Sequence, residues 1–273
     1  MSTMRFTRLQ LKNWKNFKSV DIPLAGRTFV IGPNAVGKSN LLLALRFLRD
    51  IAAEDGGLVK AVAMHHGLTA LRSLHARQST TIEIRVEIKD DTGNGWRYEL
   101  GFDGDDANRE RPVVKFERVI ALISGIERTP FLLDRSGNSE PDLIDGKPDP
   151  EGLAQTILQQ ATANRNFRGL VEFLRGVSYL HIVPQLLREP QSPHSSGHAV
   201  DPYGRDLLDR IRQKGIKEQQ SRLRRIQKVL KVVVPQFKKL SLRADVHGNP
   251  HLECRFEHWR GVAALQNETQ FSD

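Results

Sequence analysis

The run Gly32-Pro33-Asn34-Ala35-Val36-Gly37-Lys38-Ser39 has the form G-x-x-x-x-G-K-S, and few short patterns restrict a fold so tightly. Its glycines let the backbone curl until several N–H groups point at one anion. The curl must end at a helix start, where unpaired N–H groups and the helix dipole add positive potential. Both requirements are met in the flanks. Thr28-Phe29-Val30-Ile31 is apolar and β-branched, which predicts a buried parallel strand before the loop. Asn40 to Leu48 is made of good helix formers. The expected phosphate cradle is therefore Gly32, Pro33, Asn34, Ala35, Val36, Gly37, Lys38 and Ser39, with Asn40 at the helix start. Lys38 is placed to reach β- and γ-phosphates, and Ser39 to hold Mg²⁺.

Charge points to a second function. The net charge is +9, and its placement matters more than its size. Between Tyr203 and Arg243 stand 13 Lys and Arg against three acids, Asp206, Asp209 and Glu218. Such a segment is the electrostatic footprint of a polyanion, so a nucleic-acid contact is expected at Arg222, Arg224, Arg225 and Lys228. Aromatics are only 7%, which argues against stacking platforms for single strands. No apolar run approaches membrane-span length. The single cysteine, Cys254, excludes an internal disulfide framework and fits a reducing cytoplasm.

Along the chain, Met4 to Leu11 and Ser19 to Leu24 read as strands joined by a turn over Asn13 to Lys18. A short helix is expected near Leu58 to Met64. Thr80 to Ile88 alternates with period two and predicts a half-buried strand. Asp91-Thr92-Gly93-Asn94-Gly95 is a turn signal, and strands follow at Trp96 to Phe102, Pro112 to Leu122 and Arg128 to Asp134. These make an antiparallel block. Residues 151–163 and 165–176 have helical periodicity, and Ser178 to Val183 reads as a short strand. Residues 203–213 and 216–233 read as two basic helices, the second stopped by Pro235. Lys239 to Val246 and Pro250 to Phe256 predict a hairpin. The domain division expected is 1–140 for a nucleotide-binding core with the β block, 141–235 for a helical lobe, and 236–273 for the hairpin.

Three stretches together resemble a known family: Leu11-Lys12-Asn13-Trp14-Lys15-Asn16-Phe17-Lys18, then Val20-Asp21-Ile22-Pro23-Leu24, then Ile31 to Asn40. They are similar to the SMC/RecF/OLD-like group of ABC-type ATPases, used in DNA repair, chromosome maintenance and phage defence. Asp201 to Leu208 and the Val234-Pro235-Gln236-Phe237 break also resemble that group. The resemblance implies an α/β fold, a P-loop NTPase of the ABC/SMC-type ATPase head, with ATP and Mg²⁺ as cofactors. It implies DNA as partner, a cytoplasmic protein, and heads that dimerise around ATP. It also implies a glutamine after a strand reaching Mg²⁺ or water, for which Gln185 is the positional match.

The family's apparatus extends past the phosphate loop, to a Leu-Ser-Gly-Gly-like signature and an apolar strand ending in Asp-Glu. Phe271-Ser272-Asp273 resembles the start of that signature. No apolar run in the sequence ends in Asp-Glu, and Phe131-Leu132-Leu133-Asp134 is followed by Arg135. The expectation is an incomplete head that binds ATP and hydrolyses it poorly alone. The alternative is a non-hydrolysing, nucleotide-gated DNA-binding or assembly subunit. Its partner is a separate C-terminal ATPase half or a nuclease. His247, His251, Cys254 and His258 have tempting metal spacings, but residues 251 and 254 are an odd step apart and point to opposite faces of a strand. Asp90, Asp91, Asp103, Asp105 and Asp106 read as turn acids, and His65-His66 as a pair without a partner.

Overall fold

The structure is a computed structural model. It describes residues 3–76, 80–105, 108–136, 143–144, 147–148, 150–160, 162–181, 183, 203–204, 207–246, 248–257 and 265–270. Two compact units divide the chain, Met1–Val177 and Ser178–Asp273.

The first unit is built on a six-stranded antiparallel sheet of order β2-β1-β3-β4-β5-β6. Its strands are β1 Arg5–Trp14, β2 Phe17–Pro23, β3 Ile82–Lys89, β4 Gly95–Gly104, β5 Pro112–Ile123 and β6 Ile126–Ser136. The N-terminal hairpin and the antiparallel block are thus one sheet. Period-two alternation sets its faces. Ile82, Ile84, Val86 and Ile88 of β3 point into the core, and Leu11 and Leu100 flank Ile84 in register. The opposite face carries cross-strand ion pairs, Lys12 to Glu83 at 2.7 Å and Arg97 to Glu87 at 2.8 Å. Each pair sits directly opposite in register, where charge complementarity stabilises pairing.

Helix α1, Lys38–Ala52, covers the apolar face. Leu41, Ala44, Phe47, Leu48 and Ile51 recur at three- and four-residue steps and are buried. Phe47 stands at the centre, 5.3 Å from each of the rings of Trp14, Phe102 and His65. Helix α2 spans Leu58–Met64, as its sequence predicts, and α3 Gly67–Leu71 follows. His65 has a partner after all. It is buried against Asp50, with Nε2 to Oδ2 at 2.9 Å, and Arg49 also holds that carboxylate at 2.6 Å. Burial alone would raise the Asp50 carboxyl, but hydrogen bonds from His65 and Arg49 outweigh it and hold the group below its ordinary value of 3.8.

Several local expectations fail for nameable reasons. The hairpin turn is two residues, Lys15-Asn16, not six, because Trp14 pairs with Phe17. Lys15 makes this possible with a left-handed φ of 49°. Residues 151–163 do not form one helix. A short helix Pro150–Leu153 stops, and a 3₁₀ turn Ile157–Gln159 begins where Thr156 and Gln159 form a capping box. Ser178 to Val183 is not a strand in its described residues; Val183 N–H only reaches Tyr203 O at 3.3 Å. Asp103 is not a turn acid. It lies in β4, buried, paired with Arg72 and Thr80. Asp134 lies inside β6 opposite Arg118, in an antiparallel setting.

The second unit holds a helix Leu207–Arg212, a longer helix Ile216–Val233, and strands Phe237–Ala244, Pro250–Phe256 and Leu265–Asn267 in one antiparallel sheet. Phe237, Leu240 and Cys254 form its small core, with Leu223, Leu230, Leu252 and Phe256 packed against it.

Candidate nucleotide-binding site

The glycine loop leads into α1 as its sequence requires. Ala35 has φ 64° and Gly37 φ 107°, two left-handed residues separated by Val36. Such alternation turns successive N–H groups toward one side and makes an anion-binding concavity. The helix then opens at Lys38 with no side-chain cap, and its first intrahelical bond is Leu41 N–H to Gly37 O at 3.0 Å. The N–H groups of Lys38, Ser39 and Asn40 precede that bond, so they remain available to an anion.

Lys38 is folded back on the loop. Its Nζ donates to Gly32 O and Pro33 O, each at 2.7 Å. The ammonium therefore sits beside the loop's own carbonyls, and a phosphate with more negative charge would draw it outward. The donor set fits a nucleotide phosphate: a two-residue nest, an uncapped helix start, one lysine and the exposed Ser39 hydroxyl beside them. Ser39 is the one described member of the expected Mg²⁺ pair. Gln185 lies outside the described residues.

The strand expected before the loop is not formed. Thr28 to Ile31 lies outside every described strand, with Phe29 79% and Ile31 91% exposed. A parallel strand is stable only between neighbours and under covering layers, and no described strand pairs with this run. Beside it opens an apolar cleft of about 310 Å³, lined by Phe6, Leu24, Val30, Leu41, Leu45 and Phe173. The β-branched pattern is present, and its partners are not among the described residues.

Sequence reasoning missed the residues that brace the loop. Asn16, at the β1–β2 turn, donates from Nδ2 to Val36 O at 3.0 Å and accepts at Oδ1 from Asn40 Nδ2 at 2.9 Å. Buried Trp14 donates Nε1–H to Asn40 O at 2.7 Å. Asn16 and Val36 are 20 positions apart, and no period in the sequence links them.

The basic residues sort by helix geometry. Helix Ile216–Val233 turns its Leu223 and Leu230 face to the core of the second unit. Lys217, Arg224, Lys228 and Lys231, at steps of seven, four and three, share one exposed flank about 21 Å long. Arg222, two residues from Arg224, falls on nearly the opposite flank and pairs with Glu218 at 2.7 Å. Arg225 stands between these flanks on the solvent side. The four residues singled out from sequence thus do not share one face, whereas Lys217 and Lys231 complete the stripe of Arg224 and Lys228. The spacing was legible at the helical period.

Among the described residues no cluster of His, Cys, Asp and Glu could hold a metal ion. His251 instead engages Glu268 and Asp245, whose carboxylates outweigh burial and raise its pKa above 6.5. Burial pushes the Cys254 thiol up to about 11, so it is a core group. His247 and His258 lie outside the described residues, as do Asp106 and residues 271–273. No described helix is long and apolar enough to cross a membrane.

The family model described as "AAA domain, putative AbiEii toxin, Type IV TA system" matches residues 27–273. The Endonuclease GajA of Bacillus cereus is 45% identical over 58 residues, covering 21% of this chain and 10% of that protein. The DNA replication and repair protein RecF of Bifidobacterium longum subsp. infantis is 26% identical over 165 residues, covering 59% of this chain and 34% of RecF. The matches therefore span about a tenth and about a third of these curated relatives.

Proposed function

The chain belongs to this AAA-domain family and is an SMC/RecF/OLD-like ABC-type P-loop ATPase, and from that premise we propose that residues 32–40 bind ATP with Mg²⁺ to gate an action on DNA. The observation that carries the reading is the loop itself: two left-handed residues, an uncapped helix start and a lysine within reach. With a nucleotide bound, Lys38 would exchange Gly32 O and Pro33 O for phosphate oxygens. The loop N–H groups would orient the phosphates, and Ser39 would offer its hydroxyl to the metal. Bound Mg²⁺ supplies charge neutralisation on the phosphates.

Residues 32–40 supply phosphate contacts, and placing the attacking water takes a further side chain, a carboxylate or a glutamine, beyond them. Binding with little turnover is the expected behaviour of residues 1–273. The exposed Thr28–Ile31 run and its apolar cleft support a core completed by strands other than those described. This observation also favours the second reading, a nucleotide-gated assembly subunit whose catalytic half is a separate chain. DNA contact is assigned to the stripe Lys217, Arg224, Lys228 and Lys231, in a cytoplasmic protein whose heads pair around ATP.

The test is calorimetry with Mg-ATP, with phosphate release followed on the same sample. Saturable binding that Lys38→Ala abolishes, with little release, is expected. Unchanged affinity in Lys38→Ala would overturn the site.

A further inference from the structure

The side chain of Asn16 spans the junction between the phosphate loop and α1. One end of its amide holds Val36 O, and the other holds the Asn40 side chain in the first turn of α1. The turn that carries it is itself fixed. Lys15 N–H donates to Leu71 O at 2.6 Å, Trp14 bridges to Arg72, and the Trp14 indole is fully buried. Gly37 fits beneath the amide, since a Cβ there would overlap Asn16 Nδ2.

We infer that Asn16 is a positioning residue for phosphate binding, and this rests on residues 32–40 being the nucleotide site. The reason lies in peptide geometry. Val36 C=O and Gly37 N–H belong to one planar trans peptide and point in opposite directions. Holding Val36 O toward Asn16 aims the Gly37 N–H away from it, into the anion side of the loop. The bond to Asn40 then fixes the same amide relative to the helix start, so the loop N–H groups and the first-turn N–H groups share one orientation. Neither contact touches the ligand. The residue acts by keeping the concavity formed before the ligand arrives, which lowers the ordering cost of binding.

The experiment compares wild type, Asn16→Ala, Asn40→Ala and the double variant. Affinity is read by calorimetry for Mg-ATP and, separately, for inorganic tripolyphosphate, with thermal melts alongside. Loss of one or two exposed hydrogen bonds predicts about five- to tenfold weaker binding in Asn16→Ala. The same factor is expected for tripolyphosphate, because the latch acts on the phosphate cradle and not on the base. The melting temperature should stay within about 2 °C, and the loss in the double variant should be measurably smaller than the product of the two single losses. Unchanged affinity in Asn16→Ala, with binding still abolished in Lys38→Ala, would overturn the latch alone. Loss of binding in neither variant would overturn the nucleotide site with it. Additive single effects would remove the coupling through Asn16 and so refute the inference.

Discussion

Gly37→Ala is the substitution whose effect follows most directly from the loop geometry. At φ 107° an alanine sits beyond the small left-handed region open to L-residues, which costs about 2 kcal/mol. Its Cβ would also overlap Asn16 Nδ2, and would meet Oδ1 at 2.7 Å and Cγ at 2.9 Å. The amide must then leave, and its bonds to Val36 O and Asn40 break. Both are exposed, so about 0.5 kcal/mol each is appropriate, the low end of the usual range. The total is about 3 kcal/mol. Because the loop is exposed it can relax locally, so the penalty falls on binding and not on global unfolding. About 3 kcal/mol corresponds to roughly a hundredfold loss of affinity. Calorimetric titration with Mg-ATP measures it, with a thermal melt as the control for folding. Adding Asn16→Ala in the same chain should neither restore affinity nor weaken it further, since the φ strain remains and the two amide bonds are already lost. An affinity within about threefold of wild type would refute the argument that the left-handed Gly37 shapes the site.

Charge reversal of Lys217, Arg224, Lys228 and Lys231 to Glu should weaken duplex-DNA binding and lower the salt slope by about 0.9 for each phosphate no longer neutralised, measured by titration at several salt concentrations. Arg222→Glu, on the other flank, should change the slope little. Asp50→Asn should alter the acid limb of stability. The Asp50 pKa is depressed in the folded protein, so its stabilisation is fully present above the unfolded value near 3.8 and declines as pH falls through the lower folded value. Denaturant melts from about pH 7 to about pH 2 should therefore show a shallower acid decline in the variant; an identical decline would mean the His65 and Arg49 contacts do not hold the charge.

Legibility followed the range of the interactions. The glycine loop, the helix starting at its Lys38 end and helices Leu58–Met64 and Ile216–Val233 are set by neighbours within one or two turns, and their periods stand in the sequence. The same holds for the β3 alternation. The face of the basic stripe was also there to be read, because about 100° per residue separates Arg222 from Arg224. Residues 151–163 read wrongly as one helix because helical spacing does not register the Thr156–Gln159 capping box that restarts the chain.

The sequence by itself determined that a glycine loop at residues 32–37 would open into a helix at Lys38 and that a basic helix would follow late in the chain. Both depend on backbone chemistry local to their own residues. Only the tertiary structure decided that Asn16 braces the loop, that His65 is buried on Asp50, and that no described strand pairs with Thr28–Ile31. Each of these depends on what lies across space from the residue. A strand-forming composition supplies half of each ladder bond, and the other half has to come from a neighbour that no local pattern names.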